Sequence, residues 1–453
     1  QSGAEAAMEK LKKANKFISD LSNFNLITIG HAHIDSAWLW PWSETVRKCG
    51  RTFSNILKLM DEYPSFKFLQ SQPHLYEFAK NRYPSVYEQI EEKVENGQWE
   101  PVGALWVESD INITGPESLV RQYLLGKRYF REKFDVDPKI TFIPDVFGYS
   151  ASLPGISKAA DCPYFFTQKM SWSERNQIPY HAFRWEGIDG SEVLAHFLPT
   201  DTYNGRVTVE EVNRTARNFK EGSHISDIPY LIGWGDGGGG PTREMIEKME
   251  TVNEIDALPN MEFGSLKEVF NNLEKFKEDL GKWIGELYLE RHRGTLTTQS
   301  NTKKNNRKAE YALREAEIWS TAAMIQGEDF SYPADKIEKA WKILLFNQFH
   351  DILPGSSVKE VYADTERDYK EIFDITDQII NSATEILSES ASGNQNRDSE
   401  YLSVFNSLSW KREGPVEIKS DIGEYSALES DTGEIRPLQK SNAGEAKAIF
   451  IGK

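Results

Sequence analysis

Short apolar runs alternate with amphipathic stretches from about Asn25 to about Glu290. Leu26–Ile29, Phe66–Leu69, Ile140–Ile143, Ser191–Phe197 and Tyr230–Gly233 read as strands, because each is a brief apolar run bounded by polar or turn residues. Between them, Thr45–Glu62, Tyr87–Gly97 and Glu117–Phe134 carry helical spacing; in the first, Val46, Phe53, Ile56, Leu57 and Met60 fall on one face. Alternation of this kind predicts an α/β fold with a parallel sheet, open or closed into a barrel. From about Asn301 the pattern changes. Asn301–Gln326, Pro333–His350 and Val358–Glu389 predict three long helices, with an apolar stripe of Ala312, Ala316, Trp319 and Ala323 in the first. Ser390–Glu400 is rich in Ser and Asn and reads as a linker. Tyr401–Phe405 and Gly414–Ile418 then alternate like strands. The expected organisation is residues 1–295 as a catalytic β/α region with an N-terminal helix, 296–395 as a three-helix bundle, and 396–453 as the incomplete start of a C-terminal β domain.

The strongest chemical signal follows the first predicted strand. Gly30-His31-Ala32-His33-Ile34-Asp35 places two imidazoles and a carboxylate at spacing two. On an extended segment such residues share one face, here aimed at the mouth of a sheet or barrel, where α/β folds place their chemistry. Imidazole and carboxylate are ordinary zinc ligands. Three further segments are weaker when read alone. Asp145, in Phe142–Ser150, is expected to open a turn or cap the helix near Ser152. Gly233–Thr242 holds Asp236 among glycines; lacking the Lys-Ser/Thr of a phosphate loop, it is not a nucleotide site. His350 ends an apolar helix and reads as a dipole-facing histidine. Glu286, Glu290 and His292 read as a salt-bridge cluster.

Composition narrows the partners. Across 453 residues, 53 Lys and Arg face 70 Asp and Glu, for a net charge of -17, which argues against nucleic acid and anionic membranes. The 12 tryptophans suit sugar rings as well as cores. Cys49 and Cys162, the two cysteines, cannot form a disulfide framework, so a reducing cytoplasmic setting is expected. Gln1–Asp20 reads as a charged helix without an apolar stretch, so no leader is expected. No apolar run reaches membrane-spanning length.

In this order, the segments resemble the α-mannosidases of glycoside hydrolase family 38, in the branch of the cytosolic and related microbial enzymes. The resemblance rests on Gly30–Trp42 (GHAHIDSAWLWPW), Pro101–Asp110 (PVGALWVESD), Ile143–Gly155 (IPDVFGYSASLPG), Thr167–Trp172 (TQKMSW), Gly235–Thr242 (GDGGGGPT) and Phe349–Ser357 (FHDILPGSS). It implies an N-terminal seven-stranded β/α barrel, a three-helix bundle and large β domains, of which only the opening is expected here. It implies metal ligation by His33, Asp35, Asp145 and His350, with His31 a neighbour rather than a ligand. Asp145 becomes the nucleophile of a retaining mechanism, Trp38 a stacking platform for the sugar, and Asp351 a partner of its hydroxyls. Zinc is the implied ion, with cobalt an alternative, and a mannose-containing oligosaccharide the implied substrate. Other branches have two aspartates where this chain has Asp236-Gly237, and their acid is the second. Asp236 is therefore the candidate acid/base by proximity, with Glu108 and Glu290 as rivals. A metal-dependent amidohydrolase or sugar deacetylase is the alternative reading; it calls for histidines on later strand ends, where His196 could serve but His181 and His224 do not. A metal-free carbohydrate-binding protein is a further alternative.

Overall fold

The computed structural model describes residues 21–327, 330–392, 401–418, 425–430, 432–440 and 448–452. The helix expected within Gln1–Asp20 lies outside the described residues, as does most of the linker expected over Ser390–Glu400. The chain divides into two units: Gln1–Leu313 with Ala334–Thr376, and Arg314–Pro333 with Asp377–Lys453.

The first unit holds two five-stranded sheets. In one, β1 (Asn25–His31) pairs in parallel with β2 (Phe68–Gln70), β8 (Asp227–Ile232) and β9 (Asn260–Phe263), and β3 (Trp99–Pro101) extends β2. Six of the seven β1 residues are buried. A strand covered on both faces reads as a continuous apolar run, which is why Leu26–Ile29 does not alternate. In the other sheet the order is β10 (Lys282–Ile284), β6 (Ala182–Glu186), β7 (Glu192–Phe197), β5 (Tyr164–Thr167) and β4 (Ile140–Phe142). There β6 and β7 pair antiparallel, and their Gly187–Ser191 connection turns at Gly190 with φ +78°.

Leu26, Ile29 and Leu69 of the first sheet share one apolar core with Ile140, Phe142, Phe166 and Leu194 of the second. No strand ladder among the described residues closes the two sheets into the expected seven-stranded barrel. Irregular chain meets the edges instead. Gly205 gives β8 a single parallel bridge at Ile232, and Gly103 packs against Phe142. Those same stretches carry site residues, as described below.

The helices α1 (Trp42–Glu62), α2 (Pro73–Arg82), α3 (Pro84–Glu95) and α4 (Pro116–Phe134) follow the first strands. In α1, Phe53, Ile56, Leu57 and Met60 are buried as the spacing predicts. Close packing of α4 needs Gly126: a Cβ there would lie 2.2 Å from the Ala104 carbonyl oxygen. The helix expected near Ser152 appears as α5 (Leu153–Ala159); α2, α6 (Val209–Asn218) and α8 (Leu266–Leu273) were not anticipated, and α7 (Arg243–Asn253) follows the glycine loop. The three long helices appear as α9 (Ser300–Gln326), α10 (Ala334–Asn347) and α11 (Lys359–Ser392). Within the first unit, Gln348 Nε2 donates to Asn306 Oδ1 at 3.0 Å and Asn347 Nδ2 to Asp368 Oδ2 at 2.8 Å. His350 lies three residues beyond α10, in the turn that follows, and not on the helix.

In the second unit, Gly414–Ile418 forms a strand paired antiparallel with Ala448–Gly452, with Ile418, Ala448 and Phe450 buried between. Tyr401–Phe405 is not a strand. Among the described residues, no helix is long and apolar enough to cross a membrane.

Candidate active site and metal centre

Strand β1 ends at His31, and the chain continues without regular structure through His33 and Asp35. Asp35 N–H donates to the Asp236 carbonyl at 3.0 Å, and Ile34 bridges Gly237. The histidine loop and the glycine loop are thus bound to one another by backbone. Thr45, in the first turn of α1, donates its hydroxyl to the Asp35 and Ser36 carbonyls. Asp145 lies three residues past β4, beyond the C-terminal end of a parallel strand. It lies in a turn, one of the two readings of that segment alone, and caps no helix; the N-cap of α5 is Ser152, which makes no side-chain cap bond.

Five buried side chains converge. His33 Nε2 lies 3.0 Å from Asp35 Oδ1. His350 Nε2 lies 3.4 Å from the same oxygen, 3.6 Å from Asp145 Oδ2 and 3.9 Å from Asp351 Oδ2. Candidate ligand atoms of His33, Asp145 and His350 fall within 4.8 Å of one another, as do those of Asp35, His350 and Asp351, and of His33, Asp35 and Asp236. The rings of His33 and His350 stack with centroids 5.5 Å apart.

His31 stays behind. Its ring packs edge-on against Phe142, and its centroid lies 6.5 Å from that of His33. Burial and the neighbouring His33 push its pKa down to about 3, so it stays neutral. It belongs to none of the candidate ligand groups, so the three-residue face read from spacing alone reduces to His33 and Asp35.

The carboxylates set the charge balance. Burial would raise Asp145, but the Lys169 ammonium and the imidazoles of His350 and His33 hold its pKa well below the usual carboxylate range. Burial and the Asp35 carboxylate push Asp351 up to about 7. Burial would lower His350, yet the Asp145 and Asp35 carboxylates facing its ring push it up to about 10. His33 is raised well above its ordinary value; burial opposes this, but the Glu108 and Asp35 carboxylates outweigh it. Carboxylates packed around imidazoles demand positive charge. The residues fit a divalent cation: His350 Nε2 is fully buried without a hydrogen-bond partner and faces two carboxylates, and the donor set is the N/O set that zinc accepts.

Two groups at the centre were not anticipated from the sequence. Lys169 Nζ donates to Asp145 Oδ1 at 2.8 Å and lies over the rings of Trp172 and Phe147, at 4.0 and 5.0 Å. Tyr203 Oη lies 3.0 Å from Asp145 Oδ1 and 2.8 Å from Asp236 Oδ1, joining the candidate nucleophile to the candidate acid/base. Lys169 stands in the TQKMSW segment, next to the end of β5; Tyr203 stands in irregular chain, with no local signal.

Trp38 is half-buried, its ring 5.8 Å from that of Trp40, and Asp351 is buried with the Ser356 hydroxyl on its carboxylate. Of the rival acids, Glu290 accepts from the backbone N–H groups of Glu174, Arg175 and Asn176 and from Asn176 Nδ2. It ties down a loop and forms no salt bridge among the described residues; the ion pair of that cluster joins Arg291 to Glu174. Glu108 is buried beside His33. His196 is stacked between Phe166 and Phe219, away from the cluster, so the third strand-end histidine of an amidohydrolase is missing.

Comparison with known proteins identifies the family. Residues 23–286 match the glycosyl hydrolases family 38 N-terminal domain, and residues 290–387 the alpha mannosidase middle domain. Alpha-mannosidase 2C1 of Homo sapiens is 40% identical over 391 residues, covering 86% of this chain and 37% of that protein. Alpha-mannosidase G of Dictyostelium discoideum is 43% identical over 344 residues, covering 76% and 32%. The alpha-mannosidase of Saccharomyces cerevisiae is 34% identical over 441 residues, covering 95% and 40%. The chain therefore spans well under half the length of these relatives. The crystal structure of an alpha-mannosidase from Enterococcus faecalis V583 shares the fold with a TM-score of 0.76 at 18% identity, over 94% of this chain and 53% of that one. With the family's N-terminal domain matched over more than half of the sequence, the chain belongs to glycosyl hydrolase family 38.

Proposed function

We propose that this chain carries the catalytic centre of a retaining α-mannosidase that removes terminal α-linked mannose from oligosaccharides. The observation that carries the reading is the placement of Asp145. Its carboxylate is held ionised by Lys169, faces His350 Nε2 at 3.6 Å, and shares the Tyr203 hydroxyl with Asp236. One phenol oxygen reaching both carboxylates fits the span of about 5–5.5 Å that retaining glycosidases need.

Asp145 attacks the anomeric carbon and forms a glycosyl-enzyme as the glycosidic bond breaks. Asp236 gives a proton to the departing oxygen, then takes one from the water that releases mannose. Trp38 stacks on the sugar, and Asp351 accepts from its hydroxyls. His33, Asp35, Asp145 and His350 would hold the cation, zinc or cobalt, since both take N/O ligands. When bound, it supplies a Lewis acid for the sugar's hydroxyls. The axial 2-hydroxyl of mannose suits chelation with its neighbour, which favours mannose over glucose.

We propose residues 1–295 as the catalytic α/β region, 296–395 as the helical bundle and 396–453 as part of a C-terminal β region. A cytoplasmic location is supported by two free, buried cysteines. The test is hydrolysis of a nitrophenyl α-mannoside by the full-length protein. Release of nitrophenol, loss with a chelator and recovery on adding zinc or cobalt is the expected result. No release by protein that holds stoichiometric metal refutes the hydrolase reading.

A further inference from the structure

The chain at Glu108–Asp110 runs beside the turn that carries His350. Ser109 and Phe349 form an antiparallel bridge, Asp110 N–H donates to the Gln348 carbonyl at 2.8 Å, and His350 N–H donates to the Glu108 carbonyl at 3.1 Å. His350 Nδ1 lies 2.9 Å from that same carbonyl oxygen. A carbonyl only accepts, so Nδ1 carries a hydrogen, and Nε2 is the nitrogen that would give up its proton and offer its lone pair to a cation. The Glu108 side chain forms an ion-pair contact with the other ring, Oε2 lying 3.3 Å from His33 Nδ1, although neither atom makes a hydrogen bond. A carboxylate there favours hydrogen on Nδ1 again. Both Nε2 atoms then point the same way and meet at Asp35 Oδ1, at 3.0 and 3.4 Å.

Glu108 is itself fixed. It is 1% exposed; Ser71 donates its hydroxyl to Oε1 at 2.7 Å, and the Glu108 N–H donates to Gln72 Oε1 at 3.2 Å. Both partners sit in the loop after β2.

We propose that Glu108 is the positioning residue for both imidazoles, its side chain orienting His33 and its backbone carbonyl orienting His350, so that each presents Nε2 to a divalent cation. This rests on the metal-binding part of the proposed function. Outer partners of this kind fix ring orientation and tautomer, and losing one costs about 10- to 100-fold in metal affinity.

Glu108→Gln isolates the effect. The amide keeps the volume and accepts from Ser71 through its carbonyl, so its NH2 faces His33 Nδ1. That donor makes Nδ1 an acceptor, moves the ring hydrogen to Nε2 and takes His33 out of the ligand set. In the full-length protein, chelator competition should show Co2+ and Zn2+ affinity reduced about 10- to 100-fold. The visible bands of the Co2+ form should shift, while the metal-free thermal midpoint stays that of wild type. Ser71→Ala, which only frees Glu108 Oε1, should lower affinity in the same direction by less. Wild-type affinity and spectrum in Glu108→Gln overturn the proposal. So does a loss of turnover on unactivated mannosides at unchanged metal affinity, which makes Glu108 an acid/base instead. Should Glu108→Gln fail to fold, unchanged affinity in Ser71→Ala overturns it. If wild type binds no Co2+, the metal reading falls first.

Discussion

Gly126→Ala tests whether the packing of α4 sets the position of the chain that leads to Glu108. An added Cβ would lie 2.2 Å from the Ala104 carbonyl oxygen, 2.6 Å from the Leu105 carbonyl carbon and 2.8 Å from the Trp106 nitrogen. All three are backbone atoms, so no side-chain rotation relieves them. Either α4 or the 104–106 segment must shift, and overpacking of this kind costs typically about 1–3 kcal/mol. Three backbone contacts in one place put the cost at the upper end. Against it stands the intrinsic helix preference of Ala over Gly, about 1 kcal/mol. The net expectation is a loss of about 2 kcal/mol, read from the denaturant midpoint of the first transition. Because Glu108 lies two residues past Trp106, the same variant should bind Co2+ more weakly. Gly294→Ala is the control: nothing lies within 4 Å of its Cβ, so stability should change by less than about 0.5 kcal/mol. If Gly126→Ala is as stable as wild type, or gains the 1 kcal/mol that helix preference alone implies, the close approach does not limit this interface and the reasoning fails.

Other outcomes follow from the site. Asp236→Asn should slow hydrolysis of unactivated mannosides about 100-fold or more while sparing activated aryl mannosides; equal losses on both refute its role. Lys169→Met should lower kcat by about 100-fold or more, since it removes the buried ammonium 2.8 Å from Asp145, and steady-state kinetics on a nitrophenyl mannoside measure it. Burial and the nearby His181 push His196 down to about 3 from an ordinary 6.5. The unfolded chain therefore binds one more proton between those values, and stability falls as pH drops through that window, by up to about 1.4 kcal/mol per pH unit. Denaturation of His196→Leu at pH 7 and pH 4 should show a smaller difference than wild type.

Much of this arrangement is readable in the primary structure where a residue type recurs with a period or a fixed spacing. Leu26–Ile29 and the α1 stripe are such cases, and so are His33 and Asp35, because two ligand types at spacing two are rare by chance. The β6–β7 hairpin was also within reach: Asp189-Gly190 between Ala182–Glu186 and Glu192–Phe197 is a turn signal. Tyr203 and Lys169 were not. Each is a single common residue whose meaning comes from touching Asp145, 58 and 24 positions away. Asp145 itself reads locally as a turn residue, and only the order of all six segments gave it a role. Closure of the sheets is likewise a tertiary property that strand periodicity does not encode.

The contact between His350 Nδ1 and the Glu108 carbonyl spans 242 positions. The two imidazoles, His33 and His350, lie still farther apart in the chain, so the centre has no partial form to be assembled locally. A cation held there would cross-link the His33 and His350 ends of the chain, and it would favour only those molecules in which both have already met. Metal uptake should therefore report on the folding of the whole first unit rather than on one loop, and adding metal to a partly unfolded sample should draw it toward the compact state by mass action.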